Sequence, residues 1–281
     1  MPTDIVIKDF REMKDPGIAA FCEEIRNRGF SVEFLVSAPK PELKKLEPRE
    51  YEHGISIYIT AYHTKDCIDE TLKSVYAQTW FKENDNWEVV LICDGDRELY
   101  DYLKPNVGKL KNFRLLCTKA NVGTYVASNT AARQCKYDWI MRFDSDDIMA
   151  SHCIEKIVEA TAWGDAVYFR TERWGRMVTA LGHVCIGHNL FDELGGFEPW
   201  PCSADTNLRL RIIPFYRVVY AETCLMTYGQ RENSLTNAPE TGFDSPVRNH
   251  FRELNKHVRP LTKEDSCIGY TDTVFEEYKG E

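Results

Sequence analysis

The chain reads as an α/β protein built on a mostly parallel central sheet with helices on both faces. Three observations predict this. Apolar runs of strand length recur at residues 55–60, 87–93, 113–117 and 139–143, rich in the β-branched and aromatic side chains that fit a pleated surface. Segments of helical period separate them, one over 65–77 with Ile68, Leu72, Val75 and Tyr76 on one face and one over 124–134. Distinctive residues follow three of the strands: Ala61-Tyr62, Asp94-Gly95-Asp96 and Asp144-Ser145-Asp146-Asp147. Strand, helix, strand at this spacing gives parallel pairs joined by crossover helices. Ligands bind such sheets outside the carboxyl ends of the strands, where these three groups would converge.

Taken in order, residues 1–52 read as an N-terminal extension and linker. A short strand at 5–7 is followed by a helix over about 15–28, opened by Asp15-Pro16-Gly17 and ended by Gly29. A second strand spans 30–36, and Pro39, Pro41 and Pro48 mark an exposed linker. The main domain covers 53–236. Past the acid cluster it continues with a helix at 151–163, a strand at 166–170 and the tight loop Gly195-Gly196-Phe197. A helix capped by Ser203 is expected over 205–213, then strands at 216–221 and 225–228. Residues 237–281 form a basic C-terminal tail, expected on or near the acceptor side.

The 281 residues can bury a sizeable core. No apolar stretch approaches the ~20 residues that span a bilayer, so no integral membrane contact is expected. The first ten residues carry acids and no apolar h-region, so no signal peptide is expected. Ten cysteines without a CxxC pair, several inside apolar runs, indicate a reducing cytoplasm. Net charge is −9, yet residues 102–137 hold no acid and carry Lys104, Lys109, Lys111, Arg114, Lys119, Arg133 and Lys136. A second basic segment holds Arg248, Arg252, Lys256, Arg259 and Lys263. Such islands can present a positive face to phosphate or be plain solvated surface.

The run 139–147 is the distinctive one: an apolar strand ending in three carboxylates and one hydroxyl. Clustered acids repel unless a positive charge sits among them, and an oxygen-rich set suits Mg²⁺ or Mn²⁺. The alternative is an Asp-rich turn that caps the next helix, with Asp147 as the cap.

In this order the motifs resemble the family 2 glycosyltransferases. The residues that carry the resemblance are 57–62, 70–79 ending in Gln78-Thr79, Asp94-Gly95, 121–129 as Asn-x-Gly-x-x-x-Ala-x-Asn, Asp144-Ser145-Asp146 as the DxD motif, and Gly195-Gly196-Phe197 followed by Asp205 and Leu208. The resemblance covers about 55–236 and implies the Rossmann-like GT-A fold. It implies a metal held by Asp144 and Asp146, and a nucleotide-sugar site at Ala61, Tyr62, Asp94, Gly123, Asp144, Ser145 and Arg231. It implies Asp205 as the base that activates the acceptor hydroxyl, with inversion at the sugar. Two departures stand out. Ala204-Asp205 replaces the family's Glu-Asp, and Gly229 follows Tyr228 where the family has Arg, so Arg231 takes that place. There is no QxxRW motif, which argues against a processive synthase.

The expected donor is a UDP-sugar, UDP-glucose first. For the acceptor, the basic islands resemble what a phage enzyme glycosylating hydroxymethylcytosine in double-stranded DNA would need. The alternatives are a saccharide of a bacterial surface polymer and an inactive nucleotide-sugar-binding module. His183 and His188 are expected as structural histidines, with facing the donor or supplying a metal ligand as the alternatives, and Trp174 and Trp200 as loop residues that pack or stack on a ligand.

Overall fold

Alternation along the strands decides the architecture. Ile55, Ile57, Ile59, Val89, Leu91, Met141 and Phe143 point to one face of the sheet, while Tyr58, Val90, Ile92, Leu116 and Ile140 point to the other. A parallel sheet apolar on both faces needs a helical layer on each. In the computed structural model, which describes residues 5–8, 32–35, 46, 48–173, 176–229, 231, 234–239 and 241–280, both layers are present. The first face is covered by α1 (Ile68–Tyr76), α2 (Arg97–Leu103) and α4 (Cys153–Thr161) through Ile68, Leu72, Val75, Leu99, Leu103, Ile154 and Ile157. The second is covered by α3 (Thr124–Gln134), α5 (His188–Glu193) and α6 (Ala204–Ile212) through Ala127, Ala131, Phe191, Leu208 and Ile212.

Two short parallel strands, β1 (Ile5–Lys8) and β2 (Val32–Leu35), pair in the N-terminal extension. The helix expected at 15–28 and Trp174 lie outside the described residues. The main sheet contains β3 (Glu52–Ala61), β4 (Trp87–Cys93), β5 (Phe113–Thr118), β6 (Tyr137–Asp144), β7 (Ile148–Met149), β8 (Ala166–Arg173), β9 (Arg176–Gly187), β10 (Val218–Thr227) and β11 (Phe275–Tyr278). Their order is β11-β5-β4-β3-β6-β9-β8-β10-β7. The block β5-β4-β3-β6 is parallel throughout. Beyond β6, β9 runs antiparallel to both β6 and β8. This half gathers residues from well beyond the acid cluster in sequence.

Several expectations are corrected here. The two strands expected at 216–221 and 225–228 are one strand, β10, with register shifts between Ala221 and Cys224 and between Cys224 and Thr227. The longest strand, β9, was not expected. Residues 237–281 give a helix, α7 (Pro246–Lys256), capped by Ser245 Oγ accepting from the Arg248 amide, and then β11, which pairs with β5. The expected boundary at 236 thus divides segments that one sheet joins. Asp147 caps no helix; it leads into β7, and α4 begins only at Cys153.

The basic islands are largely engaged within the chain. Lys104 pairs with Asp101, Lys111 with Asp85, Arg114 with Glu88 and Glu277, and Arg133 with Asp192. Arg248 donates to the carbonyls of Leu235 and Thr241, and Arg252 to that of Phe243. No helix of the described residues is long and apolar enough to cross a membrane.

Candidate active site

The first wall of the site forms where β3 and β4 end. Ala61 is buried and its carbonyl accepts from the Asp94 amide at 2.9 Å. Tyr62 is exposed, its ring 3.9 Å from that of His63. His63 sits at φ 53°, held by its amide donating to Asp96 Oδ2 at 2.8 Å, while Asp96 Oδ1 caps α2 at the Leu99 amide. Asp94 is buried, and each of its oxygens accepts a backbone N–H: Val122 at 2.8 Å and Gly123 at 3.0 Å. Asp94 therefore pins the loop ahead of α3. Gly95 lets the two loops meet: at φ 72°, a Cβ there would lie 2.2 Å from the Asn121 amide nitrogen. Gly123 itself takes φ 90° at the start of α3.

The second wall is the end of β6. Residues two apart on a strand share a face, so Arg142 lies beside Asp144. Its buried guanidinium donates from Nη2 to Asp144 Oδ1 at 2.6 Å and to Thr124 Oγ1 at 3.2 Å. Nη1 donates to the Gly182 carbonyl at 2.6 Å and Nε to Ser128 Oγ at 3.2 Å. Burial works against the Arg142 charge, but Asp144, Tyr125, Tyr58 and Asp205 together outweigh it and raise the pKa above the usual arginine range.

Asp144, Asp147 and His183 bring ligand atoms within 4.8 Å of one another. His183 Nε2 lies 2.8 Å from Asp147 Oδ2 and 3.6 Å from Asp144 Oδ2. Burial lowers the His183 pKa, but the two carboxylates more than offset it, so it is raised overall. Asp147 Oδ1 accepts the Gly229 amide at 2.7 Å and Oδ2 has the His183 imidazole at 2.8 Å, while His183 Nδ1 is buried without a hydrogen bond. Asp146 faces Arg231, whose Nη1 is 3.9 Å from its Oδ2. Burial first, then Asp144 and Asp147, push the Asp146 carboxyl up to about 7 against the opposing pull of Arg231. Ser145 is buried, and its carbonyl accepts from Thr71 Oγ1 of α1 at 3.0 Å.

The Gly229 departure has a steric reason. A Cβ at Gly229 would lie 1.8 Å from the Asp146 carbonyl oxygen, so no larger residue fits there. Arg231, two residues on, brings its cation to Asp146 instead.

Asp205 opens α6, its Oδ1 accepting from the Thr206 amide at 2.8 Å. Ser203 makes no side-chain cap, contrary to expectation. It is left-handed at φ 65°, and its carbonyl accepts from Asn255 of α7 at 3.1 Å. Gly182 of β9 shows how close Asp205 comes to the acid cluster. A Cβ built on it would be 3.5 Å from Asp144 Oδ2 and 3.9 Å from Asp205 Oδ2. Both carboxylates thus face one small space. The Gly195-Gly196-Phe197 loop is fixed by Asn129, which accepts the Phe197 amide at 2.9 Å and donates to the Phe197 carbonyl at 2.8 Å.

The structure therefore brings Arg231 to Asp146 and Asp205 towards Asp144 across Gly182, with Ala61, Tyr62, Asp94 and Ser145 at the adjoining strand ends and Gly123 at the start of α3. The sequence reading assigned no role to Arg142 or Gly182. The Arg-x-Asp spacing on a strand was the available signal for the first; nothing in sequence marks the second. His188 stacks on Tyr51 at 3.8 Å and Trp200 packs on Phe251 at 4.9 Å, both away from the acid cluster in contact terms.

Fold and strand-end arrangement define the class as GT-A, the fold of glycosyltransferases. Within that class, residues 56–191 match the family model described as Glycosyl transferase family 2. It is similar to the UDP-Glc:alpha-D-GlcNAc-diphosphoundecaprenol beta-1,3-glucosyltransferase WfaP of Escherichia coli, 36% identical over 95 residues, or 33% of this chain and 35% of that one. The match spans about a third of the length of the curated relatives. In structure it resembles S. aureus TarS 1-349 in complex with UDP-GlcNAc, with TM-score 0.58, 17% identity, and 76% and 69% of the two chains covered. It also resembles the mannosyltransferase PcManGT from Pyrobaculum calidifontis in complex with GDP-Man and Mn²⁺, with TM-score 0.52, 14% identity, and 84% and 72% covered.

Proposed function

We propose that the protein transfers a hexosyl group from a UDP-sugar, UDP-glucose first, to a hydroxyl acceptor with inversion at the anomeric carbon. The observation that carries this is the convergence of Asp144 and Asp205 on the space over Gly182. A leaving diphosphate needs a cation on one side and the acceptor needs a base on the other; these two acids supply the two sides. Asp205 takes the acceptor proton as the hydroxyl oxygen bonds to the sugar carbon and the diphosphate departs. Arg231 meets the departing charge, and Ala61, Tyr62, Asp94, Gly123 and Ser145 line the nucleotide, Asp94 by holding the 121–123 loop.

The acid cluster fits a divalent cation: its donors are oxygen and imidazole nitrogen, and the ligand atoms of Asp144, Asp147 and His183 lie within 4.8 Å of one another. Bound Mn²⁺ or Mg²⁺ would supply Lewis-acid stabilisation of the diphosphate. We assign it to Asp144 and Asp146. Their side chains are 31% and 19% exposed, against 3% and 1% for Asp147 and His183, and a ligand shared with a diphosphate must be reachable. Asp147 and His183 then orient Asp144 from beneath. Asp146→Asn should therefore weaken Mn²⁺ binding more than Asp147→Asn; the reverse order would move the site to the buried trio.

For the acceptor, a saccharide is the better-supported class. The WfaP relative acts on a saccharide linked through diphosphate to a polyprenol, and the basic residues that suggested DNA are largely paired internally. Labelled UDP-glucose is to be offered with Mn²⁺ to hydroxymethylated DNA, glucosylated DNA, a polyprenol-linked saccharide and free oligosaccharides. Label on a saccharide supports the proposal, label on DNA alone restores the phage-DNA reading, and no UDP release or donor binding leaves neither. The proposed compartment is the cytoplasm, where nucleotide sugars are made.

A further inference from the structure

Resting on that donor reading, we infer that Gly182 is a specificity-determining residue: its missing side chain is the room the transferred sugar occupies between Asp144 and Asp205. Its place in the chain shows how it is set. β6 and β9 pair Trp139 with Gly187, Ile140 with Ile186 and Met141 with Cys185. Beyond that stretch β9 passes the end of β6, and a Cβ at 182 would lie 3.5 Å from Asp144 Oδ2 and 3.9 Å from Asp205 Oδ2. Any side chain at 182 therefore enters the space beside the Asp144 carboxylate.

The backbone does not ask for glycine there. Gly182 is absent from the residues with positive φ, and an ordinary strand conformation accepts any L residue. What it lacks is space. A Cβ would lie 3.0 Å from Arg142 Nη1, as well as 3.5 Å and 3.9 Å from the oxygens of Asp144 and Asp205. The 3.0 Å approach decides the matter, because Arg142 cannot withdraw. Its guanidinium is tied to the Gly182 carbonyl, Asp144, Thr124 and Ser128. A methyl group would remain in the space between the two acids.

Another glycine in the same strand makes the contrast. At Gly187 a Cβ would meet only ordinary contacts, 3.9 Å from the Asp165 carbonyl oxygen and 3.9 Å from Leu190 Cβ. Gly187 is interchangeable with alanine by this measure; Gly182 is not.

The test compares UDP with UDP-glucose, both with Mn²⁺, by titration calorimetry on wild type, Gly182→Ala and Gly187→Ala. UDP lacks the sugar, so its affinity should stay within about threefold in Gly182→Ala, while UDP-glucose should bind roughly tenfold weaker, the scale of overpacking by one methyl. Gly187→Ala should change neither. If Gly182→Ala weakens both ligands together, glycine serves only to seat Arg142, and the inference is overturned. Unchanged affinity for both overturns it as well. Should Gly182→Ala fail to fold, Arg142→Lys removes the tight contact, and the same comparison is made between Arg142→Lys and the double variant. Wild type that binds no UDP-glucose sinks the donor reading itself, and this inference with it.

Discussion

Asp94 and Asp144 close two strands that flank β3, and the protein treats them in opposite ways. Asp94 is buried with both oxygens matched to backbone amides of one loop. Asp144 shares its neighbourhood with two more carboxylates, and the basic groups that meet them, Arg142, His183 and Arg231, come from three separate strands or loops. A carboxylate that accepts backbone N–H bonds is stabilised within the fold. Crowded carboxylates are stabilised only by additional positive charge. The difference teaches where binding capacity lies: Asp94 shapes the site and the 144–147 cluster is left able to take a ligand.

The sharpest way to break this comparison is to remove Asp144. Asp144→Ala should lower Mn²⁺-dependent release of UDP from UDP-glucose by roughly 10³–10⁴-fold, since a bound metal contributes several kcal/mol of charge stabilisation. The deletion also strands the buried Arg142 guanidinium, which loses its carboxylate partner at 2.6 Å, so the variant should be less stable and its fold is checked by urea unfolding alongside release. Persistent metal-dependent release would sink the metal assignment. Asp205→Asn comes next. It should cost ~10²-fold or more in transfer, the usual worth of a positioned base, with UDP-glucose affinity retained; normal transfer would remove Asp205 as the base.

Asp94→Ala should show the opposite pattern. It strands the amides of Val122 and Gly123, so a loss of ~2–3 kcal/mol is expected from charge-assisted hydrogen bonds left unmade. Urea unfolding would register it. Affinity for UDP should fall only as far as the 121–123 loop loosens. Unchanged stability with abolished UDP binding would make Asp94 a direct ligand and erase the contrast with Asp144.

The parallel half of the sheet was legible in sequence because its strands are short apolar runs that alternate between two buried faces. Ile55, Ile57 and Ile59 against Tyr58 is the pattern in miniature. The strand-end acids were legible for the same reason: each follows such a run directly. The antiparallel half was not. β9 carries Thr179, Gly182 and His183 among its apolar residues, because this strand builds the site as well as the core, and that mixture hides its period. β10 was read as two strands because its register slips twice where it bends past β8. Gly182 is the extreme case, since its contribution is a vacancy that no side chain announces. His183 reads from sequence as a structural histidine or, alternatively, a donor-facing or metal-binding one; its buried contact with Asp147 becomes visible only when β9 is laid beside β6.

The smallest expected effect lies at the far edge of the sheet, where β11 pairs with β5 and its carboxylates meet basic groups of the chain. Glu277 of β11 meets Arg114 Nε of β5 at 2.8 Å and pairs with Lys279. Burial raises the Glu277 pKa, but Arg114 and Lys279 outweigh it, so it is lowered overall. A carboxyl lowered on folding contributes stability that is complete above its unfolded pKa and is lost as pH falls through the folded one. Glu277→Gln should therefore reduce stability at pH 7 by no more than ~1 kcal/mol, given the partial solvent screening of the pair. Below the folded pKa, where wild-type Glu277 is protonated, the two proteins should converge. Urea denaturation at pH 7 and at a series of lower pH values measures both. A deficit that does not shrink as the pH falls would mean that packing, not charge, holds β11 to the sheet.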